Sequence, residues 1–163
     1  MSINFKEKTL QEYLDQLSRR EPVPGGGSAA ALTAAMGVGL ISMVANYSVG
    51  RKSNTKAIDK RLGRILAQSE PIRLRLLELT SLDSEAYLKV SAARSLDIKT
   101  QRQAAKFARA VPQEVCKLCY KAIQLTPYLV EKGNPYLISD VEVALELLMS
   151  AFNAARVMVR VNS

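Results

Sequence analysis

Residues 22–50 read PVPGGGSAAALTAAMGVGLISMVANYSVG, three glycines followed by a long run without charge. Glycines 25–27 can adopt backbone angles closed to other residues and let another group approach the main chain. Ser28 is a favourable helix N-cap, so the pattern predicts a glycine loop leading into a buried helix. The spacing matches neither the dinucleotide-binding fingerprint nor a P-loop. Whether the loop binds an anion at the helix N-terminus or only caps the helix stays open.

Composition indicates one all-α domain that covers residues 1–163. Hydrophobic residues make up 48% of the chain, with only 8 Gly and 6 Pro, and no alternating strand pattern is found. The 28–50 run is long enough to span a bilayer, but it is rich in Ala, Gly, Ser and Thr. We interpret it as the central small-residue helix of a soluble bundle, away from any membrane. Lys6, Glu7 and Lys8 precede any apolar run, so we expect no signal peptide and a cytoplasmic location.

Positive charge is concentrated in one stretch. Of the formal net charge of +8, residues 51–75 contribute +6, because this stretch contains eight Lys/Arg and only two acidic residues, Asp59 and Glu70. Such a face attracts nucleic acid, an acidic lipid surface or a polyanionic small molecule, or is simply a solvated helix face. No aromatic residues are interleaved with these charges, which makes a nucleic-acid partner a weak interpretation.

The absence of histidine excludes several kinds of site. No Ser-His-Asp triad, Cys-His pair or HExxH zinc site can form, so acid–base chemistry falls to carboxylates, lysines or tyrosines. Cys116 and Cys119 form a single CxxC inside a helical pattern, and we interpret them as small core residues. We expect no metal site.

Periodicity predicts the remaining helices. A short amphipathic helix covers residues 8–19, and a long one covers residues 54–95 with apolar residues at alternating steps of four and three. Residues 100–110 form a helix, and Pro112 begins or kinks the next, which continues to about Val130. After a turn at residues 132–135, Ser139 and Glu142 form a capping box for a last helix that runs to Asn162.

Asp83 interrupts the apolar stripe of the long helix, between Leu79 and Ala86. A carboxylate on the inward face is costly unless it is paired or hydrogen-bonded, and its pKa tends to be displaced. Position alone leaves two interpretations open. Asp83 is either a catalytic group or a structural residue that bonds buried N–H groups.

Three separated motifs resemble the formiminotransferase-cyclodeaminase C-terminal family, which includes free-standing methenyltetrahydrofolate cyclohydrolases. The first is the PVPGGGSAAA opening with its Gly50-Arg51-Lys52 ending. The second combines Asp83-Ser84-Glu85-Ala86-Tyr87 with Val111-Pro112. The third is Gly133-Asn134 followed by Ser139-Asp140 and a closing Val161-Asn162. The match covers nearly the whole chain in order.

The resemblance implies an all-α bundle that forms a homodimer and acts on folate one-carbon units, with no cofactor beyond the tetrahydrofolate substrate. It implies that Asp83 is the proton acceptor. The candidate substrate-binding residues are Gly25, Gly26, Gly27, Ser28, Arg51, Lys52, Ser139, Asp140 and Asn162. The two family reactions are closure of the methenyl bridge of 5-formiminotetrahydrofolate with loss of ammonia, and hydrolysis of that bridge to 10-formyltetrahydrofolate.

The predicted 28–50 helix separates the glycine loop from Arg51 and Lys52 by roughly 33 Å at 1.5 Å per residue. We therefore expect the pocket to be built across a dimer interface, where these cations hold the polyglutamate tail of a cellular folate.

Two other functions stay open: a non-catalytic folate-binding or structural helical dimer, and a basic nucleic-acid binder. Because no formiminotransferase domain is fused here, we expect a cyclohydrolase ahead of a cyclodeaminase.

Overall fold

The computed structural model describes residues 4–162, which fold into six α-helices and two single 3₁₀ turns without a strand. The all-α prediction is therefore confirmed. Residues 1–3 and Ser163, which the single-domain prediction also covers, lie outside the described residues. The helices are α1 (Leu10–Leu17), α2 (Gly26–Ser48), α3 (Lys56–Ala93), α4 (Ile98–Ile123), α5 (Thr126–Lys132) and α6 (Ile138–Val161).

The four long helices α2, α3, α4 and α6 form an up-down-up-down bundle in that cyclic order. Each helix runs antiparallel to its two neighbours. Side-chain hydrogen bonds join successive pairs: Ser42 with Ser69, Arg75 with Glu114, and Asn162 with the Ala108 carbonyl. One end of the bundle therefore combines the start of α2, the end of α3, the first half of α4 and the end of α6.

Helix α2 is the central small-residue helix that the sequence predicted. A Cβ added at Gly37 would lie 2.9 Å from Leu148 Cγ and 3.1 Å from the Ala144 carbonyl oxygen, so only glycine permits this approach of α6. By length and composition α2 could also cross a membrane, with a mean hydropathy of 1.8. However, 56% of this apolar segment is buried inside the bundle.

The ends of α2 and α3 follow the sequence pattern closely. Gly50 has φ +73°, the left-handed conformation expected of a residue just beyond a helix C-terminus. Helix α3 lies within the predicted 54–95 range, and its seam residues Leu62, Leu76 and Leu79 are fully buried. Cys119 is buried and both cysteines are free. Burial raises the pKa of the Cys119 thiol to about 12, as suits a core residue.

Two predicted helix caps are wrong. Helix α2 begins at Gly26 with Gly25 as its N-cap, so Ser28 lies in the first turn instead of preceding it. Helix α6 begins at Ile138, and neither Ser139 nor Glu142 forms the capping box. Instead, the side chain of Asn134 accepts the N–H of Tyr136 and starts a 3₁₀ turn that leads directly into α6.

The break between α4 and α5 also differs from the prediction. Pro112 neither begins nor ends a helix, because α4 continues through it to Ile123. The interruption falls at Leu125 instead. Pro127 has no N–H to donate to the Ile123 carbonyl, which is the bond that would continue α4.

Candidate active site

A cavity of about 390 Å³ opens at the bundle end where α2 begins and α3 and α6 end. Most of its lining is apolar. The lining residues come from the loop before α2, the start of α2, and helices α3, α4 and α6: Pro22, Val23, Gly25, Gly26, Asp83, Ala86, Tyr87, Val90, Arg94, Ala108, Met158, Val161 and Asn162. Enclosed apolar clefts with a few convergent polar groups are typical of small-molecule sites.

The Asp83 carboxylate lies against the first turn of α2. A Cβ added at Gly27 would lie 2.5 Å from Asp83 Cγ and 2.7 Å from Oδ2, so only a glycine leaves room for the acid. The backbone N–H of Ser28 bonds the carboxylate and lowers its pKa, but burial is the larger influence and raises the pKa above its usual range. The loop and the acid are therefore parts of one arrangement.

Ser28 supports this arrangement from behind. Its side chain is fully buried, and its Oγ lies 3.0 Å from the hydroxyl of Tyr13 on α1. Tyr13 is only 4% exposed, and burial, with a smaller contribution from the Asp83 charge, raises its pKa. By sequence spacing Tyr13 is only an apolar position of the short helix predicted over residues 8–19, because helical spacing does not identify the partner of its hydroxyl.

The candidate residues separate into two groups at opposite ends of the bundle. Gly25, Gly26, Asp83 and Asn162 line the cavity, and Gly27 and Ser28 contact the carboxylate from the α2 side. The side-chain amide of Asn162 donates to the Ala108 carbonyl at 2.9 Å, and this bond joins the end of α6 to α4.

Arg51, Lys52, Ser139 and Asp140 lie at the far end. Arg51 Nη1 donates to the Gly133 carbonyl at 2.8 Å, so this guanidinium holds the turn before α6. Asp140 is half-buried in the first turn of α6. The length of α2 separates these residues from Asp83 within the chain.

Nearly the whole chain is similar to one known protein family. The model of the formiminotransferase-cyclodeaminase family matches residues 9–163. The chain belongs to this family. A methenyltetrahydrofolate cyclohydrolase of Methylorubrum extorquens is 34% identical over 96% of this chain and 79% of that protein.

Two further relatives are similar to this chain over nearly its whole length. The formimidoyltransferase-cyclodeaminase of Mus musculus is 29% identical over 96% of this chain, but the chain spans only 30% of that protein. The crystal structure of formiminotetrahydrofolate cyclodeaminase from Thermotoga maritima superimposes with a TM-score of 0.92 at 31% identity. That alignment covers 96% of this chain and 79% of the other.

The cavity also contains residues that were not among the candidates predicted from the sequence. Val90 and Arg94 line it with Asp83 and Tyr87, and the four follow one another at steps of four, three and four. Asp83, Tyr87 and Val90 lie on one face of α3, and Arg94 is its C-cap residue, whose backbone is still helical. That spacing is visible in the sequence. However, the spacing of residues on one helix does not show at which end of the bundle a cavity opens. Among the described residues, no group of three or more His, Cys, Asp or Glu is placed to hold a metal ion.

Proposed function

We propose that this protein is a tetrahydrofolate one-carbon enzyme with Asp83 as its general base, either a 5,10-methenyltetrahydrofolate cyclohydrolase or a formiminotetrahydrofolate cyclodeaminase. The observation that carries the proposal is the half-buried Asp83 carboxylate at the inner side of an apolar cavity, in a fold shared with enzymes of both names. Cyclohydrolase is the first choice, since the curated relative with 34% identity has that name.

The raised pKa of Asp83 suits it to proton abstraction. A general base works best when its pKa approaches the working pH, and burial moves this carboxylate in that direction. In the cyclohydrolase reaction Asp83 takes a proton from water as the oxygen adds to the methenyl carbon. Protonated Asp83 then returns that proton to N5 as the tetrahedral carbon loses its bond to N5. The hydroxyl proton passes to solvent, and the formyl group stays on N10. In the cyclodeaminase reaction Asp83 takes the N10 proton as N10 attacks the carbon of the protonated formimino group, and it returns this proton to the amino group, which leaves as ammonia.

The charge of the methenyl bridge, which is the substrate of the hydrolytic reaction and the product of the other, suits the Asp83 cavity. The methenyl bridge carries a positive charge shared between N5 and N10, and opposite charges attract strongly where water is partly excluded. A carboxylate in a cavity with apolar walls offers this cation a complementary environment. The same carboxylate then lies next to the carbon that water attacks.

The decisive test of the proposal is a side-by-side assay of the purified protein with methenyl- and formimino-tetrahydrofolate. Turnover of the first alone assigns a cyclohydrolase, and turnover of the second alone assigns a cyclodeaminase. Folate binding without turnover of either substrate would instead assign a non-catalytic folate-binding relative. Absence of both binding and turnover would refute the folate proposal.

We further propose a homodimer that joins the two groups of candidate residues. Helix α2 has an outer apolar stripe, which we define as Met36, Gly39, Leu40, Met43 and Tyr47, with Met36 49% and Tyr47 66% exposed. Contiguous apolar faces on soluble proteins mark interaction sites, and a two-fold axis pairs the same face of both copies. An axis near residue 38 would place residues 25–27 of one protomer opposite residues 49–51 of its partner.

Met36→Glu is expected to convert the dimer to monomers and to reduce turnover, because it buries a charge in each half of the proposed interface. The fold should survive, since Met36 is half exposed in the single chain. Sedimentation velocity gives the mass, and the folate assay gives the turnover. Tyr120→Glu is the matched control, because Tyr120 is exposed on α4, diagonally across the bundle from α2. A fully active Met36→Glu monomer would contradict the shared site.

Arg51 and Lys52 provide a second test of the shared pocket. If they hold the polyglutamate tail, affinity for polyglutamylated folate should fall steeply with salt, whereas affinity for the monoglutamate should change little. Titrations of both ligands over a salt series should show that an Arg51→Ala/Lys52→Ala variant loses this difference. The melting temperature of the double variant is measured as the stability control, because Arg51 also bonds the Gly133 carbonyl. An unchanged difference in the double variant would make the basic stretch a solvated face.

A further inference from the structure

We propose that Arg94 binds the α-carboxylate of the substrate's glutamate at the outer end of the Asp83 cavity. This inference rests on the proposed function and assigns the opposite end of the same ligand. Among the described residues that line the cavity, Asp83 and Arg94 alone are charged, and they have opposite signs. The cavity is therefore polarised. The Asp83 anion lies beside the first turn of α2, and the Arg94 cation lies at the C-terminal end of α3.

The separation of the two charges follows from their positions on one helix. Asp83 lies on α3, and Arg94, the C-cap residue with a helical backbone, follows eleven residues later on the same face, which is roughly 16 Å along the axis at 1.5 Å per residue. An extended arginine side chain can cover part of that distance from its own end. In a reduced folate the aminobenzoyl ring and its amide form a rigid spacer between N10 and the glutamate carboxylates. A ligand whose N10 region lies at Asp83 would therefore direct its carboxylates towards Arg94.

The wall between the two charges suits that spacer. Tyr87 and Val90 lie on α3 between Asp83 and Arg94, and Val161 faces the cavity from α6. An aromatic ring is bound by apolar and aromatic side chains of this kind, without a requirement for hydrogen bonds. The order anion, apolar wall, cation along the cavity matches the order cationic one-carbon bridge, ring, carboxylate along the ligand.

Arg94 is anchored at its backbone while its side chain is exposed. Its N–H donates to the Ser91 carbonyl at 3.4 Å, and its carbonyl accepts the side-chain amide of Gln101 at 3.3 Å. No Asp or Glu lies within ion-pair distance of its guanidinium among the described residues, whereas Arg73 and Arg75 on the same helix are both paired. A guanidinium on a fixed backbone, with its donors available, matches a carboxylate in a two-pronged geometry.

The proposal complements the suggested role of Arg51 and Lys52. Those residues lie at the far end of their own protomer and would reach only a tail that leaves the cavity towards a partner. Arg94 lies in the same cavity as Asp83 and needs no second copy. It therefore recognises the first glutamate, which every folate carries, whereas the other cations affect only longer tails.

The experiment compares Arg94→Gln with wild type on two ligands, methenyltetrahydrofolate and the corresponding tetrahydropteroate that lacks the glutamate. We expect Arg94→Gln to raise KM for the folate by about 10- to 100-fold, the usual effect of losing a hydrogen bond between charged groups. The turnover number should stay near that of wild type. For the pteroate, the two proteins should have the same KM, and Arg94→Lys should recover part of the loss on the folate.

Arg109→Gln is the matched control. It removes the same charge beside the lining residue Ala108, but Arg109 itself does not line the cavity. An equal rise in KM for Arg109→Gln would reduce the effect to general attraction of an anion by a basic protein, and would overturn the assignment. An Arg94→Gln variant that shifts both ligands equally, or neither, would overturn it as well.

The two proposals fail in different ways. Wild-type turnover of methenyltetrahydrofolate tests the proposed function before any variant is made. If turnover is absent, calorimetric affinities of folic acid and pteroic acid for wild type and Arg94→Gln decide the carboxylate site alone. Preferred binding of folic acid that depends on Arg94 supports the site, and equal binding of the two ligands, or no binding of either, rejects it.

Discussion

Asp83→Asn is expected to lower turnover by about two to four orders of magnitude, the usual contribution of a positioned general base. Asparagine has nearly the same shape and can still accept the Ser28 N–H, but it cannot take a proton from water or from N10. Folate affinity should change less than turnover, because the apolar wall and Arg94 still hold the ligand in the variant. Steady-state kinetics with circular dichroism as the folding control measures this directly, and a folded variant with wild-type turnover would remove Asp83 from the mechanism.

The pH dependence of the same variant provides an independent check. Because the reaction needs ionised Asp83, kcat/KM of the wild type should fall as the pH drops below the raised pKa of this carboxyl, and the residual activity of the variant should lack that decline.

The Asp83→Asn variant should lose activity without losing thermal stability. Since the folded pKa of Asp83 lies above its unfolded value, ionisation costs more in the folded state. Its contribution to stability is therefore greatest at low pH and is lost as the pH rises through the folded pKa. Asp83→Asn avoids this cost, so it should melt at or above the wild-type temperature at neutral pH and show little difference at acidic pH. A variant that is destabilised most at neutral pH would show that the ionised carboxylate is a structural anchor instead.

Gly27→Ala is expected to reduce turnover by about a hundredfold or more, because misplacing a reacting group by about 1 Å has effects of this size. The added Cβ would overlap the Asp83 carboxylate, which must rotate or shift to make room. The stability change should be modest, since the displaced atoms are the tip of a side chain and alanine favours the helix by about 0.5–1 kcal/mol over glycine. Turnover and melting temperature, measured together, separate the two effects.

The neighbouring glycines are matched controls for this substitution. A Cβ at Gly25 meets no atom within 4 Å, so Gly25→Ala should leave Asp83 in place. A Cβ at Gly26 would lie 3.8 Å from Met158 Sδ, an ordinary contact, but Gly26, like Gly25, lines the cavity. Gly26→Ala should therefore weaken folate binding more than it lowers the melting temperature. If all three alanine variants changed turnover, folate binding and melting temperature to the same extent, the role of the loop would be purely structural.

Helix class and helix centres were predictable from sequence because each depends on local spacing. The apolar steps of α3 specify a buried stripe whatever the stripe packs against, and the left-handed Gly50 ends α2 by its own backbone freedom. Pro112 shows the limit of local rules. Its missing N–H predicts a break, but packing of the surrounding α4 residues in the bundle keeps the helix continuous.

The caps at Ser28 and Ser139 were mispredicted for a related reason. A serine can cap only if the helix begins immediately after it, and the starting residue depends on how the first turn packs. Asp83 lies against Gly27 and α2 begins before Ser28, whose hydroxyl then bonds Tyr13 instead. These contacts join residues far apart in the chain, and no local pattern contains them.

The sequence by itself determined that the chain is an all-α bundle with an acid on the core-facing stripe of its longest helix, and the family motifs directed attention to that acid. Only the tertiary structure decided which candidates share a cavity. Asp83, Gly25, Gly26 and Asn162 do so, whereas Arg51 lies at the opposite end of the bundle, and Arg94 joins the site without having been selected. The physical reason is that helical periodicity specifies which face of a helix is buried, whereas antiparallel packing of whole helices determines which of their ends meet.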